Sequence, residues 1–160
     1  FVGQVVVTDG INGASFTSGT LFNICNYTNQ GAEICNGIDD DCDGTIDNAL
    51  PPPGSIGVSV SKTAVSWAGV AAAETYDVVR GDVATLRTTG GNFTSATQQC
   101  LANDVTSSTI SFTANPSAGN AWWILVRGSN CLAKGSYNEV GAGQVGLRDA
   151  EIAASPAACP

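Results

Sequence analysis

Residues 33–48 read Glu-Ile-Cys-Asn-Gly-Ile-Asp-Asp-Asp-Cys-Asp-Gly-Thr-Ile-Asp-Asn, and no other stretch restricts the chain so tightly. Five of the fourteen acidic residues lie between Asp39 and Asp47. In water, like charges at that density repel one another and favour disorder. A hard cation inverts the problem, because it is held by a flexible shell of carboxylate and carbonyl oxygens. Asp39, Asp41 and Asp43 alternate, so in a tight loop their side chains turn toward one point. Gly44 stands where such a loop must bend, and Asp47 returns shortly after it.

The order D-x-D-x-D-G-x-x-D over residues 39–47 is the opening of an EF-hand-like calcium loop. The expected ligands are the side chains of Asp39, Asp41, Asp43 and Asp47, with the Thr45 carbonyl beside them. The closing bidentate Glu of such a loop is missing, since Leu50 occupies its place. Glu33, ahead of the loop, is expected to supply that carboxylate. No long amphipathic helix flanks the loop on either side. The bland alternative is a solvated acidic turn without an ion. Zinc is disfavoured, because the chain has no His and no C-x-x-C. Cys35 and Cys42 bracket the first half of the loop, and a disulfide between them would hold it partly closed.

Residues 35–47, Cys-Asn-Gly-Ile-Asp-Asp-Asp-Cys-Asp-Gly-Thr-Ile-Asp, resemble the MopE-type metal-binding motif of secreted bacterial proteins. That family shows C-[ND]-G-x-D-[DN]-[DN]-C-D-G-x-x-D-E. The departure here is Asn48 in place of the final Glu, which touches an outer ligand and not the core of the motif. The resemblance covers a small part of the chain. It implies a small calcium-binding spacer beside other extracellular modules, and so location and stabilisation more than activity.

Composition narrows the function classes. The net charge is −8, with six Lys and Arg in 160 residues. Nucleic acid needs a basic surface and anionic membranes attract one, so neither is an expected partner. No apolar run is long enough to insert across a bilayer. A chain that opens at Phe1 and contains no Met is expected to be a processed product or a fragment. Six Cys in a Gly-, Ser- and Thr-rich chain point to an oxidising, extracellular or cell-surface location and to disulfides.

The pattern along the chain is all-β. Helix signals are scarce, and turn residues recur at short intervals. Residues 1–32 read as an N-terminal β extension, with one strand at 1–9 and another at 15–28. The Cys/Asp-rich calcium loop occupies 33–50. Pro51-Pro52-Pro53-Gly54 is a stiff linker and the clearest boundary. Residues 55–160 read as a sandwich, in which Val58 and Val60, Val65 and Trp67, Tyr76 and Val78, and Ile110 and Phe112 alternate. Trp122, Ile124 and Val126 do the same, and Val145, Leu147 and Ile152 are assigned to a last strand. The order S-W-x-x-V, Y-x-V-x-R and W-x-I-x-V-R-G-x-N resembles strands of fibronectin type III-like domains. The resemblance implies an immunoglobulin/fibronectin type III-like sandwich and says little about function. It also implies a Cys100–Cys131 disulfide, because the segment before one strand and the turn after another share an end of such a sandwich. Cys25–Cys159 then follows by elimination.

Trp67, Tyr76 and Trp122 are expected in the core. Trp123, on the opposite face of its strand, is the candidate exposed aromatic, free to stack on a sugar or cover a partner subunit. Asn26-Tyr27-Thr28 and Asn92-Phe93-Thr94 match the N-glycosylation triplet, although such triplets are common by chance. No catalytic signature stands out. There is no His, no nucleophile elbow and no phosphate-binding loop. Glu74, Asp77, Asp82, Asp104 and Glu139 are isolated acids, and nothing in their spacing pairs two of them as a glycosidase needs. The chain is therefore read as non-enzymatic.

If residues 55–152 close a sandwich, the apolar strand at the N-terminus is surplus to it. Phe1, Val2, Val5, Val6 and Val7 then bury themselves by adding to the open edge of a neighbouring copy. Repeated head to tail, such a contact gives a filament or surface layer built from the chain itself. The second reading is a calcium-stabilised adhesion module of a larger secreted protein, with surface glycans as its partner.

Overall fold

The structure, a computed structural model, describes residues 6–8, 13–15, 33–48, 56–70, 73–131, 133–139 and 148–160. Its frame is two antiparallel three-stranded sheets. The first contains β3 (Val58–Val60), β4 (Ala64–Trp67) and β7 (Thr109–Ser111), in the order β3-β4-β7. The second contains β5 (Thr75–Asp82), β6 (Thr97–Val105) and β8 (Trp122–Ser129), in the order β6-β5-β8. A separate two-stranded sheet joins β1 (Val6–Thr8) to β2 (Gly13–Ser15), with Val6 opposite Ser15. The mostly β architecture agrees with the reading of the sequence. Among the described residues, no helix is long and apolar enough to cross a membrane.

The core lies between the two larger sheets. Val65 and Trp67 point inward from β4, and Tyr76, Val78 and Val126 meet them from β5 and β8. Trp67 and Tyr76 pack edge to face with ring centroids 5.5 Å apart. The Tyr76 hydroxyl keeps its polar end satisfied by accepting from the Val70 N–H at 3.1 Å. These pairs are the ones that alternation in the sequence marks.

β5 departs from simple alternation, because it is buried on both faces. Its outer face carries Val79, which packs with Tyr137, Ile152 and Cys159 in a second cluster. The cover over that cluster includes two helices, α2 (Phe93–Ala96) and α3 (Arg148–Ala153). The α2 N-terminus is tied to α3, since Phe93 N–H donates to Glu151 Oε2 at 2.7 Å. Ile152, assigned to a strand from the sequence, therefore belongs to a helix. Val145 and Leu147 lie outside the described residues. A further helix, α1 (Val83–Thr88), starts at Asp82, whose Oδ1 accepts from Thr85 N at 2.6 Å. Hydrogen bonds from the Thr85 hydroxyl and N–H hold the Asp82 carboxyl below its ordinary pKa. Asn92 caps α2 in the same way through Ser95 N–H.

Neither Trp122 nor Trp123 has the surroundings expected of it, and both are half-buried. Trp123 is half-buried in the second cluster and meets Phe93 edge to face at 5.1 Å. Gly81 lies beneath it, where an added Cβ would stand 2.0 Å from Trp123 Cζ2. Trp122, expected in the core, is half-buried beside an open groove, with the Arg80 guanidinium 4.0 Å from its ring centroid.

Disulfides close the frame. Cys35 pairs with Cys131, and Cys100 pairs with Cys159. Cys42 is also disulfide-bonded, to a partner outside the described residues. The expected Cys35–Cys42 pair is corrected, because Cys35 reaches across to the end of β8. The expected Cys100–Cys131 and Cys25–Cys159 pairs are corrected with it. Short loop spacing favours Cys35–Cys42 only while the fold that delivers Cys131 is unknown. Cys25 itself lies outside the described residues.

Candidate metal centre

The acidic loop, residues 33–48, is built from side chains folding back onto their own backbone. Asp41 Oδ1 accepts from Asp43 N at 3.1 Å, and Asp43 Oδ1 accepts from Thr45 N at 2.8 Å. Asp39 Oδ2 accepts from Gly44 N at 3.0 Å. Such turns are what Asp does well, since its short side chain reaches a backbone N–H a few residues on. Gly44 has φ +95°, the left-handed region that glycine enters without a steric cost, so the expected bend is where the sequence puts it. Hydrogen bonds from Thr45 N–H and Asn48 hold the Asp43 carboxyl below its ordinary pKa.

Glu33 organises the centre of the loop. Its Oε1 accepts from Asp41 N at 2.7 Å and its Oε2 from Asp47 N at 2.8 Å. Glu33, Asp39 and Asp41 each offer a carboxylate oxygen, and these oxygens all lie within 4.8 Å of one another. Asp39 is 2% exposed, and its Oδ1 has no hydrogen-bond partner among the described residues. Neighbouring Asp40 is 1% exposed with an equally unpartnered Oδ1, while its Oδ2 accepts from Asn36 Nδ2 at 2.9 Å.

An unpaired carboxylate oxygen away from water is costly, and three carboxylates converging on one point repel one another. A cation placed among them relieves both. The donor set is all oxygen, which suits a hard ion and not a thiophilic one. The structure thus joins Glu33 to Asp39 and Asp41 as the sequence reading expects. It turns the other expected ligands elsewhere. The Asp47 carboxylate accepts from Asn36 N and Gly37 N, at 3.0 and 3.1 Å. Asp43 is exposed and bonded to Thr45 N and Asn48 Nδ2, and Thr45 is exposed beside it. Asp40 has no place in the alternating D-x-D-x-D pattern, and only its burial marks it.

The loop is fastened to one end of the sandwich. Cys35, joined to Cys131 with Cα atoms 5.6 Å apart, has its Sγ 3.0 Å from the Cys131 N–H that donates to it. Cys35 N–H donates to Glu74 Oε1 at 3.3 Å, and Glu74 N–H donates to Ser129 O at 2.9 Å. The carboxylates therefore sit where β5 begins and β8 ends.

Four of the isolated acids considered for catalysis have structural partners. Glu74 holds Cys35, and Asp82 caps α1. Asp77 is fully buried, accepts from Asp104 N at 3.0 Å, and pairs with Arg127 at 2.8 Å and Lys134 at 3.4 Å. Asp104 accepts from Asn103 Nδ2 at 2.7 Å. No protein-family model matches the chain, and neither does any curated protein or solved structure.

Proposed function

We propose that this chain is an extracellular structural subunit, stabilised by calcium at its acidic loop and assembling with copies of itself by strand addition into a filament or surface layer. The observation that carries the reading is the Glu33, Asp39 and Asp41 cluster, with its buried unpartnered Asp39 oxygen, stapled by Cys35–Cys131 to the sheets. Calcium is the ion that flexible, carboxylate-rich loops take best, because it accepts irregular shells of oxygen. Two disulfides between described cysteines fit an oxidising compartment. The sheet orders β3-β4-β7 and β6-β5-β8 support a fibronectin type III-like sandwich. The pairing of β1 with β2 in a sheet of their own supports the reading of the N-terminus as an extension.

Calorimetry after chelation tests the ion. The parent chain should bind calcium, and an Asp39→Ala, Asp41→Ala double variant should show no binding heat below the millimolar range. Equal heats from the two would reject the site. Negative-stain imaging of the parent with calcium tests the assembly, and open-ended polymers are the expected result. The second reading, an adhesion module for surface glycans, draws its support from Trp122 at the rim of an open groove. It expects a monomer that binds a glycan.

A further inference from the structure

The groove beside Trp122 lies between β3 and the chain running from β7 into β8. It encloses about 430 Å³, and Val58, Val60, Phe112, Trp122 and Ile124 supply its apolar lining, with Asn120 at its polar side. No residue lining it carries a charge. Val60 is 59% exposed there, although the alternation of β3 marks it for burial. β3 is also an edge strand, hydrogen-bonded to β4 and to no other described strand. An apolar, uncharged groove thus runs beside an open backbone edge. That combination accepts an added strand, with ladder hydrogen bonds on one side and side-chain pockets below.

Charge selects the occupant. Two copies of a chain with net charge −8 repel each other, and a contact between them is favoured where neither side carries that charge. The segment Phe1–Thr8 contains no charged side chain. In extended conformation its odd positions, Phe1, Gly3, Val5 and Val7, present one wholly non-polar face. We propose that the β3–β8 groove receives the Phe1–Val7 segment of a second copy, with β3 as the strand it pairs with. The assignment rests on the strand-addition reading and names its acceptor.

The test places a benzophenone photocrosslinker at Val60 in the full chain and mixes isotopically heavy and light copies in calcium. Because Val60 is exposed, the change leaves the core intact. Mass spectrometry should find position 60 joined to residues 1–7 of a copy with the other label. A Val60→Asp variant should raise the concentration needed for polymer formation at least tenfold, with circular dichroism and calcium binding unchanged. Crosslinks from position 60 to another part of a second copy, or to residues 1–7 of the same copy, would overturn the groove assignment while leaving polymerisation standing. A parent chain that remains monomeric with calcium bound would overturn strand addition and the groove together.

Discussion

Single residues carry much of this fold, and Gly81 is the sharpest case. Any side chain at this position enters the Trp123 ring and the Ala96 carbonyl, 2.0 and 2.3 Å from the added carbon. Gly81→Ala should therefore cost about 1–3 kcal/mol, the usual penalty of overpacking, measured by denaturant unfolding. The Asp77 carboxylate is buried against Arg127, whose side chain is 11% exposed. Asp77→Ala strands that guanidinium and should cost about 3–5 kcal/mol in the same measurement. Tyr137 gives a pH test. Burial raises its phenol above the ordinary tyrosine range. The folded state thus favours the neutral form, and the stability this contributes is complete below the ordinary phenol pKa. It is lost as the solution becomes more alkaline. Phenolate absorbance should show Tyr137 silent while the fold persists, and ionising with unfolding. Ionisation at the ordinary tyrosine pH without unfolding would contradict its placement. Gly81 and Tyr137 do not stand out in the sequence, and Asp77 does so only as an isolated acid. A buried Asp reads like an exposed one until its Arg is found, and Gly81 reads like a loop glycine.

At the level of elements, strands that alternate cleanly were legible. Val65 with Trp67 and Tyr76 with Val78 point to one core because one face of each strand meets the opposing sheet. β6 was not legible. It is an edge strand of mostly exposed or half-exposed residues, with register shifts against β5, so no apolar period marks it. The helices escaped for another reason. α1 and α3 span six residues each and α2 four, too short for a helical period to emerge. Their caps, Asp82 and Asn92, were the available signal. In the acidic loop, D-x-D-x-D-G and the distant Glu33 were legible because the chemistry is local. The Cys35–Cys131 bond was not, because tertiary structure alone brings a cysteine 96 positions away. Peptide mapping without reduction should recover Cys35–Cys131 and Cys100–Cys159. A Cys35→Ser, Cys131→Ser variant should keep its sheet signal by circular dichroism and lose calcium affinity at least tenfold, since the loop then has no covalent anchor beside Glu74.

For the whole molecule, calcium should behave as a stabiliser of the native state alone. At a free concentration one hundred times its dissociation constant it would add about 2.7 kcal/mol, visible as a higher melting temperature that chelation reverses. An unchanged melting temperature across that range would separate the loop from the stability of the sheets. The disulfide that anchors the loop has a mechanical consequence as well. Every strand from β3 to β8 lies between Cys35 and Cys131, inside one covalent ring. Traction applied before Cys35 and just after Cys131 crosses from sulfur to sulfur and bypasses the strands, whereas traction beyond Cys159 enters β6 through Cys100. In a row joined by strand addition, load enters each subunit at β3, inside the ring, and leaves it before Cys35, so β3 and residues 36–57 carry it while β4 to β8 stand off the load line. A tensed row of such subunits would yield first at the β3 contact or in the segment before Cys35, with β4 to β8 still folded.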